Sequence, residues 1–150
     1  MHVTAHHRGD GTYCVTGSLS GASIVVDTRR RLPSDRRASE GPRPMELILI
    51  GAATCPAVDL VEMLKKMRHP VEDLIVEVAG ERAETHPRRF MRIALRFHII
   101  GRNIPEKAAM RAVRLSVEKY CSVLASLNAE LTWAVSVEPP RESGANPPKA

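Results

Sequence analysis

Residues 45–67 read MELILIGAATCPAVDLVEMLKKM, and the periodicity of this stretch decides the fold. Pro42 and Pro44 stop whatever precedes it. Glu46 lies in the first turn, where a helix dipole favours an anion, and Lys65, Lys66 and Arg68 lie in the last. Val58, Val61, Leu64 and Met67 recur at steps of three, and Leu60 falls between them, which gives a helix with an apolar face. Pro70 closes it. Its most apolar part, Leu47 to Leu60, is interrupted by Asp59 and is shorter than the ~20 residues that cross a bilayer, so a buried core helix is expected and no membrane span. Cys55 sits in the middle of it, next to Pro56.

Outward from this helix the chain turns to β patterns on both sides. Val3 to His7 and Thr12 to Gly17 flank a turn at Asp10-Gly11, and Ala22 to Asp27 gives a third β-rich run. Residues 28–44, rich in Arg and Pro and nearly free of apolar side chains, form a long loop. Beyond the helix, Asp73 to Arg82 and Arg89 to Ile100 alternate as two strands of a hairpin, with Met91, Ile93, Leu95, Phe97 and Ile99 on one face. Pro105 near a first helical position and Glu106 beside it open a second long helix to Leu127. Its stripe runs Ala109, Val113, Val117, Tyr120 or Cys121, Leu124 and Leu127. A closing strand spans Ala129 to Glu138. The reading is an α+β fold in which strands pack around two long core helices, one domain over residues 1–138 with a disordered Pro-rich tail at 139–150.

The charge of +5 is clustered at Arg29 to Arg31, Arg36 and Arg37, and Arg88 and Arg89. Such clusters can serve nucleic acid, but an aromatic content of 3% leaves bases little to stack on, and a nucleic-acid partner is disfavoured. No export pattern stands at Met1 to Asp10, so the expected compartment is the reducing cytoplasm, where cysteines are more often free or catalytic than structurally bridged. The three cysteines at 14, 55 and 121 have no metal-ligand spacing, the histidines are scattered, and neither metal nor cofactor is expected. Cys55 and Cys121, on separate helices, suggest a thiol pair brought together by folding; the bland alternative is that buried cysteines only fill space. Cys14, on a strand, reads as structural. Pro56 leaves two local readings of Cys55: a capping residue that opens a new helical segment, or a position inside one kinked helix.

Four separated stretches are similar to the OsmC/Ohr family: GPRPMELILIGAATC at 41–55, AVDLVEMLKKM at 57–67, VEVAGER at 76–82 and EKYCSV at 118–123. The likeness covers about residues 12–138 and is nearest to the OsmC-like branch whose role is mostly unassigned. It implies an intertwined homodimer with active sites near the dimer interface. It also implies a thiol-dependent peroxidase that reduces organic hydroperoxides, with Cys55 as the peroxidatic thiol, Cys121 as the resolving one, and an external dithiol as reductant.

The family's peroxidases carry a Glu directly after the helix-opening Pro, and an Arg that polarises the peroxide. Here Pro44 is followed by Met45, and Glu46 stands one position later, a turn of about 100° around the helix. Glu46 and Arg8 are the candidates for these two roles, with the Arg residues of 29–43 as other sources of the cation. His98 is a further side chain able to approach from the sheet. A redox-sensing or small-ligand-binding protein on the same fold is the alternative to an enzyme.

Overall fold

The computed structural model describes residues 1–29 and 39–140. Arg30, Arg31, Arg36 and Arg37 of the expected loop, and residues 141–150 of the expected tail, lie outside the described residues. The chain divides into two compact units, Met1–Ile50 and Gly51–Ala150.

In the first unit, β1 (Val3–His7), β2 (Thr12–Gly17) and β3 (Ser23–Asp27) form an antiparallel sheet in the order β1-β2-β3. The first hairpin is set by Gly9 and Gly11, both at positive φ, and by the Asp10 carboxylate, which accepts from Thr12 N at 2.9 Å. After the loop the chain returns against β3, where Asp27 N donates to the Pro42 carbonyl at 3.1 Å. Gly41 is required there, because a Cβ on it would lie 1.8 Å from the Val25 carbonyl oxygen.

Helix α1 (Pro44–Lys66) runs unbroken through Pro56, so Cys55 lies inside one helix and does not cap a new one. Its buried row is Ala52, Pro56, Leu60 and Leu64, at steps of four, which corrects the expected face: Val58 is 65% exposed. The helix ends on Arg68 at φ 66, with His69 N donating to the Leu64 carbonyl at 2.9 Å, so a non-glycine residue takes the left-handed closing position.

In the second unit, β4 (Asp73–Arg82), β5 (Phe90–Ile100) and β6 (Glu130–Glu138) form a sheet in the order β4-β5-β6. β4 and β5 are antiparallel; β5 and β6 are parallel, joined by α2 (Glu106–Leu115), a π-helical turn (Ser116–Tyr120) and α3 (Ser122–Ala125). The single helix expected over Pro105 to Leu127 is therefore broken, and the break falls at Cys121, whose backbone is extended at φ −72, ψ 101. Ile93, Leu95, Phe97 and Ile99 are buried on one face of β5. Met91 is exposed instead of joining them, because a bulge makes Glu81 pair with Arg92 and Arg82 with Phe90, so that Phe90 takes the buried side. The other face holds charged rows: Arg92 meets Glu130 at 2.9 Å and Glu81 at 3.7 Å. The result is an α+β fold of two sheets and two principal helices.

Candidate active site

The second unit brings Cys55 and Cys121 together: the two come within 3.1 Å of each other and are not bonded. Cys55 stands on α1 one turn after Gly51, where the helix is close to α3: a Cβ on Gly51 would lie 3.5 Å from Val123 Cγ1. Cys121 arrives from the other side by an irregular path. A π turn closes its hydrogen bond over one residue more than an α-helix, and its last bond runs from Cys121 N to the Ser116 carbonyl at 2.9 Å. The chain then leaves the helix at Cys121 and restarts as α3, with Cys121 Sγ accepting from Leu124 N at 3.3 Å. The sulfur thus occupies the capping position that Ser, Thr, Asp or Asn usually holds.

Cys121 is 2% exposed. Burial pushes its thiol up to about 11, the neighbouring Cys55 adds to the rise, and the Leu124 N–H opposes it without prevailing. Cys121 is thereby held toward its neutral form. The pair is therefore unequal: Cys55, half-buried, is the better exposed thiol, and Cys121 is a buried neutral one.

Ser116 joins the two sides of the pair. It is fully buried, and its hydroxyl donates to the carbonyl of Pro56 at 2.7 Å, on the residue that follows Cys55. The sequence reading does not single out Ser116. Its only trace in the sequence is a small polar residue on the buried side of an otherwise apolar stripe.

The other candidate residues have bonds of their own. Glu46, in the first unit, accepts from Arg43 N at 2.7 Å, which closes the start of α1 as half of a capping box. Arg8, just after β1, pairs with Glu40 at 3.3 Å, both about half exposed. Arg29 holds buried Asp27 through two side-chain bonds of 3.0 and 2.8 Å and also reaches Glu40 at 3.1 Å. Arg88 and Arg89 donate to the carbonyls of Glu84 and Asn128. His98 lies on the charged face of its sheet, with Ser136 Oγ at 2.9 Å from Nδ1 and Glu77 at 3.5 Å from Nε2. Cys14 is half-buried in the middle strand of the first sheet, opposite His6 and Val25. Among the described residues, no group of three or more His, Cys, Asp and Glu is placed to hold a metal ion.

The family model for OsmC-like protein matches residues 37–136. Protein YhfA of Escherichia coli (strain K12) is 39% identical over 121 residues, which are 81% of this chain and 85% of that protein. A crystal structure of a protein from Aquifex aeolicus VF5 shares 33% identity and superposes with a TM-score of 0.73, over 91% of this chain and 96% of that one. At 17% identity, an organic hydroperoxide resistance protein from Elizabethkingia anophelis shares the fold, with a TM-score of 0.67 over 91% and 94% of the two chains.

Proposed function

The chain belongs to the OsmC family, and from that premise we propose that it is a cytoplasmic thiol-dependent peroxidase that reduces organic hydroperoxides at Cys55. The observation that carries this reading is the unequal pair: one half-buried thiol within 3.1 Å of a buried thiol that retains its proton.

In the proposed cycle the Cys55 thiolate attacks the terminal oxygen of the hydroperoxide. The O–O bond breaks, the alkoxide takes a proton and leaves as an alcohol, and Cys55 becomes a sulfenic acid. Cys121 then attacks the Cys55 sulfur, an S–S bond forms, and the sulfenic oxygen departs as water with the Cys121 proton. An external dithiol reduces the bridge and is itself oxidised to a disulfide. Because Cys121 is held neutral, it does not compete for peroxide in the first step.

The functional unit in this reading is the family's homodimer. α1 supports it: Ile50, Thr54 and Val58 form an exposed, largely apolar row at steps of four, and Tyr120, the last residue of the π turn, is 51% exposed. α1 is also the one helix among the described residues long and apolar enough to cross a membrane, with 22% of that stretch buried. A second copy that covers this row accounts for the apolar surplus in a core helix.

A second reading is favoured by the engagement of Glu46 in helix capping and of Arg8 with Glu40. With neither group available to polarise a peroxide, the pair would act as a redox sensor that forms the bridge without rapid turnover. The test is a thiol count and intact mass of the reduced protein before and after one equivalent of an alkyl hydroperoxide, with Cys55→Ser and Cys121→Ser alongside. Rapid loss of two thiols, and a trapped oxidised Cys55 in Cys121→Ser, support the peroxidase. Slow bridging without repeated turnover on added dithiol supports the sensor, and two inert thiols overturn both.

A further inference from the structure

Every polar atom of Ser116 is committed, and the commitments converge on the thiol pair. Its N–H donates to the carbonyls of Ala112 and Val113, anchoring it to the end of α2. Its own carbonyl accepts from Cys121 N at 2.9 Å. Its hydroxyl reaches across to the Pro56 carbonyl at 2.7 Å. A serine inside a helix ordinarily bonds back to the carbonyl four residues before it, within its own helix. Ser116 instead uses its hydroxyl between segments, in a site with 0% exposure, where an unmatched hydroxyl would be disfavoured and an alanine would fill much of the same space. A carbonyl has two lone pairs, so Pro56 can serve the ladder of α1 and Ser116 together.

We infer that Ser116 is a positioning residue that sets Cys121 against Cys55, its side chain fixed to the residue after one thiol and its main-chain carbonyl to the amide of the other. It acts on the second step of the proposed cycle, the closing of the bridge, and not on peroxide attack; in this sense it rests on the redox reading of the pair. A loss of the hydroxyl frees the π turn to shift along α1, and the effective concentration of Cys121 at Cys55 falls.

The test uses oxidised and reduced glutathione, which needs no peroxide chemistry. The Cys55 thiolate displaces one glutathione from its disulfide, and Cys121 displaces the second, so one glutathione disulfide is reduced as the protein bridge forms. Ser116→Ala is expected to lower the equilibrium constant for the Cys55–Cys121 bridge by about fivefold or more, the order of one buried hydrogen bond. The rate at which Cys55 is first modified by glutathione disulfide should stay within about twofold. Val117→Ala, a truncation of another buried residue of the same turn, is the control for a general loss of stability. An unchanged bridging equilibrium in Ser116→Ala overturns the assignment, and so does an equal fall in Val117→Ala. A native chain that bridges in glutathione yet consumes no hydroperoxide overturns the peroxidase reading while Ser116 still shows its effect. A native chain that bridges in neither overturns both.

Discussion

Cys121 reaches to within 3.1 Å of Cys55 while its own sulfur accepts the Leu124 N–H at 3.3 Å, so one buried atom faces both a neighbouring thiol and a helix start. The two influences have opposite signs, and burial together with Cys55 decides the outcome in favour of the neutral thiol. Alkylation of Cys121 in the native protein should therefore rise only as the pH approaches about 11. In Cys55→Ala the raising influence of the neighbour is gone, and the midpoint should move down while burial keeps it above the ordinary thiol value. Mass-resolved alkylation rates between pH 7 and 11 check this; an unmoved midpoint would show that Cys55 does not act on Cys121.

The same thiol makes stability depend on alkaline pH. Its folded value is raised, so the unfolded chain gives up this proton first. The contribution is intact below about pH 9 and is lost as pH rises toward 11. Urea denaturation at pH 8 and pH 10.5 should show a loss of about 2 kcal/mol in the native chain that is absent in Cys121→Ala.

Asp27 works in the opposite direction. The Arg29 guanidinium holds its buried carboxyl well below the usual carboxylate range, helped by the N–H groups of Arg29 and Glu40. Its contribution is present above about pH 4 and disappears as pH falls through the lowered value. Asp27→Asn should lower the thermal midpoint at pH 7, and the gap from the native chain should narrow steadily below pH 4. A gap that is independent of pH would mean that the charge of Asp27 is not what stabilises the fold.

Gly41 tolerates no side chain, since the Cβ would overlap the Val25 carbonyl. Gly41→Ala should destabilise the chain by about 2 kcal/mol or more, because the obstacle is backbone and cannot rotate away. Thermal melts of the two proteins side by side measure it, and equal midpoints would mean that β3 and the returning segment part easily.

Val58→Glu probes the proposed dimer. The position is 65% exposed in a single chain, so a charge there leaves the fold unharmed. If a second copy covers the row Ile50, Thr54 and Val58, the substitution should weaken association at least tenfold, read by light scattering across a dilution series. An unaffected dimer would place its interface elsewhere.

Much of this was legible in the chain itself. Strand limits at Val3–His7, Thr12–Gly17 and Asp73–Arg82 follow from alternation and turn residues, and α1 follows from its prolines and terminal charges. The π turn did not show, because over the five residues Ser116–Tyr120 a period of 3.6 and a longer one differ by less than one position. Its trace was the ambiguity between Tyr120 and Cys121 in the apolar stripe. Simple alternation puts Met91 on the face of Ile93, Leu95, Phe97 and Ile99, and a one-residue bulge inverts it. Ser116 and the Pro56 carbonyl are sixty residues apart in sequence, and a main-chain acceptor has no residue-type signature.

The parallel pairing of β5 and β6 has a consequence for how this chain can vary in length. Residues 101–129 must travel back along the whole sheet before β6 can start beside β5. Both ends of that return path are pinned, at Ile100 and at Glu130, and the path contains Cys121. Residues 101–105 and 126–129 are loops that can change length, whereas an insertion or deletion within the helical part, 106–125, shifts the thiol along its partner. A π turn is the device by which a helix takes in one residue more than its α length while its ends stay in place. Residues 106–125 are accordingly where a single added or lost codon displaces Cys121, and Ser116–Tyr120 is where one has room to be accommodated.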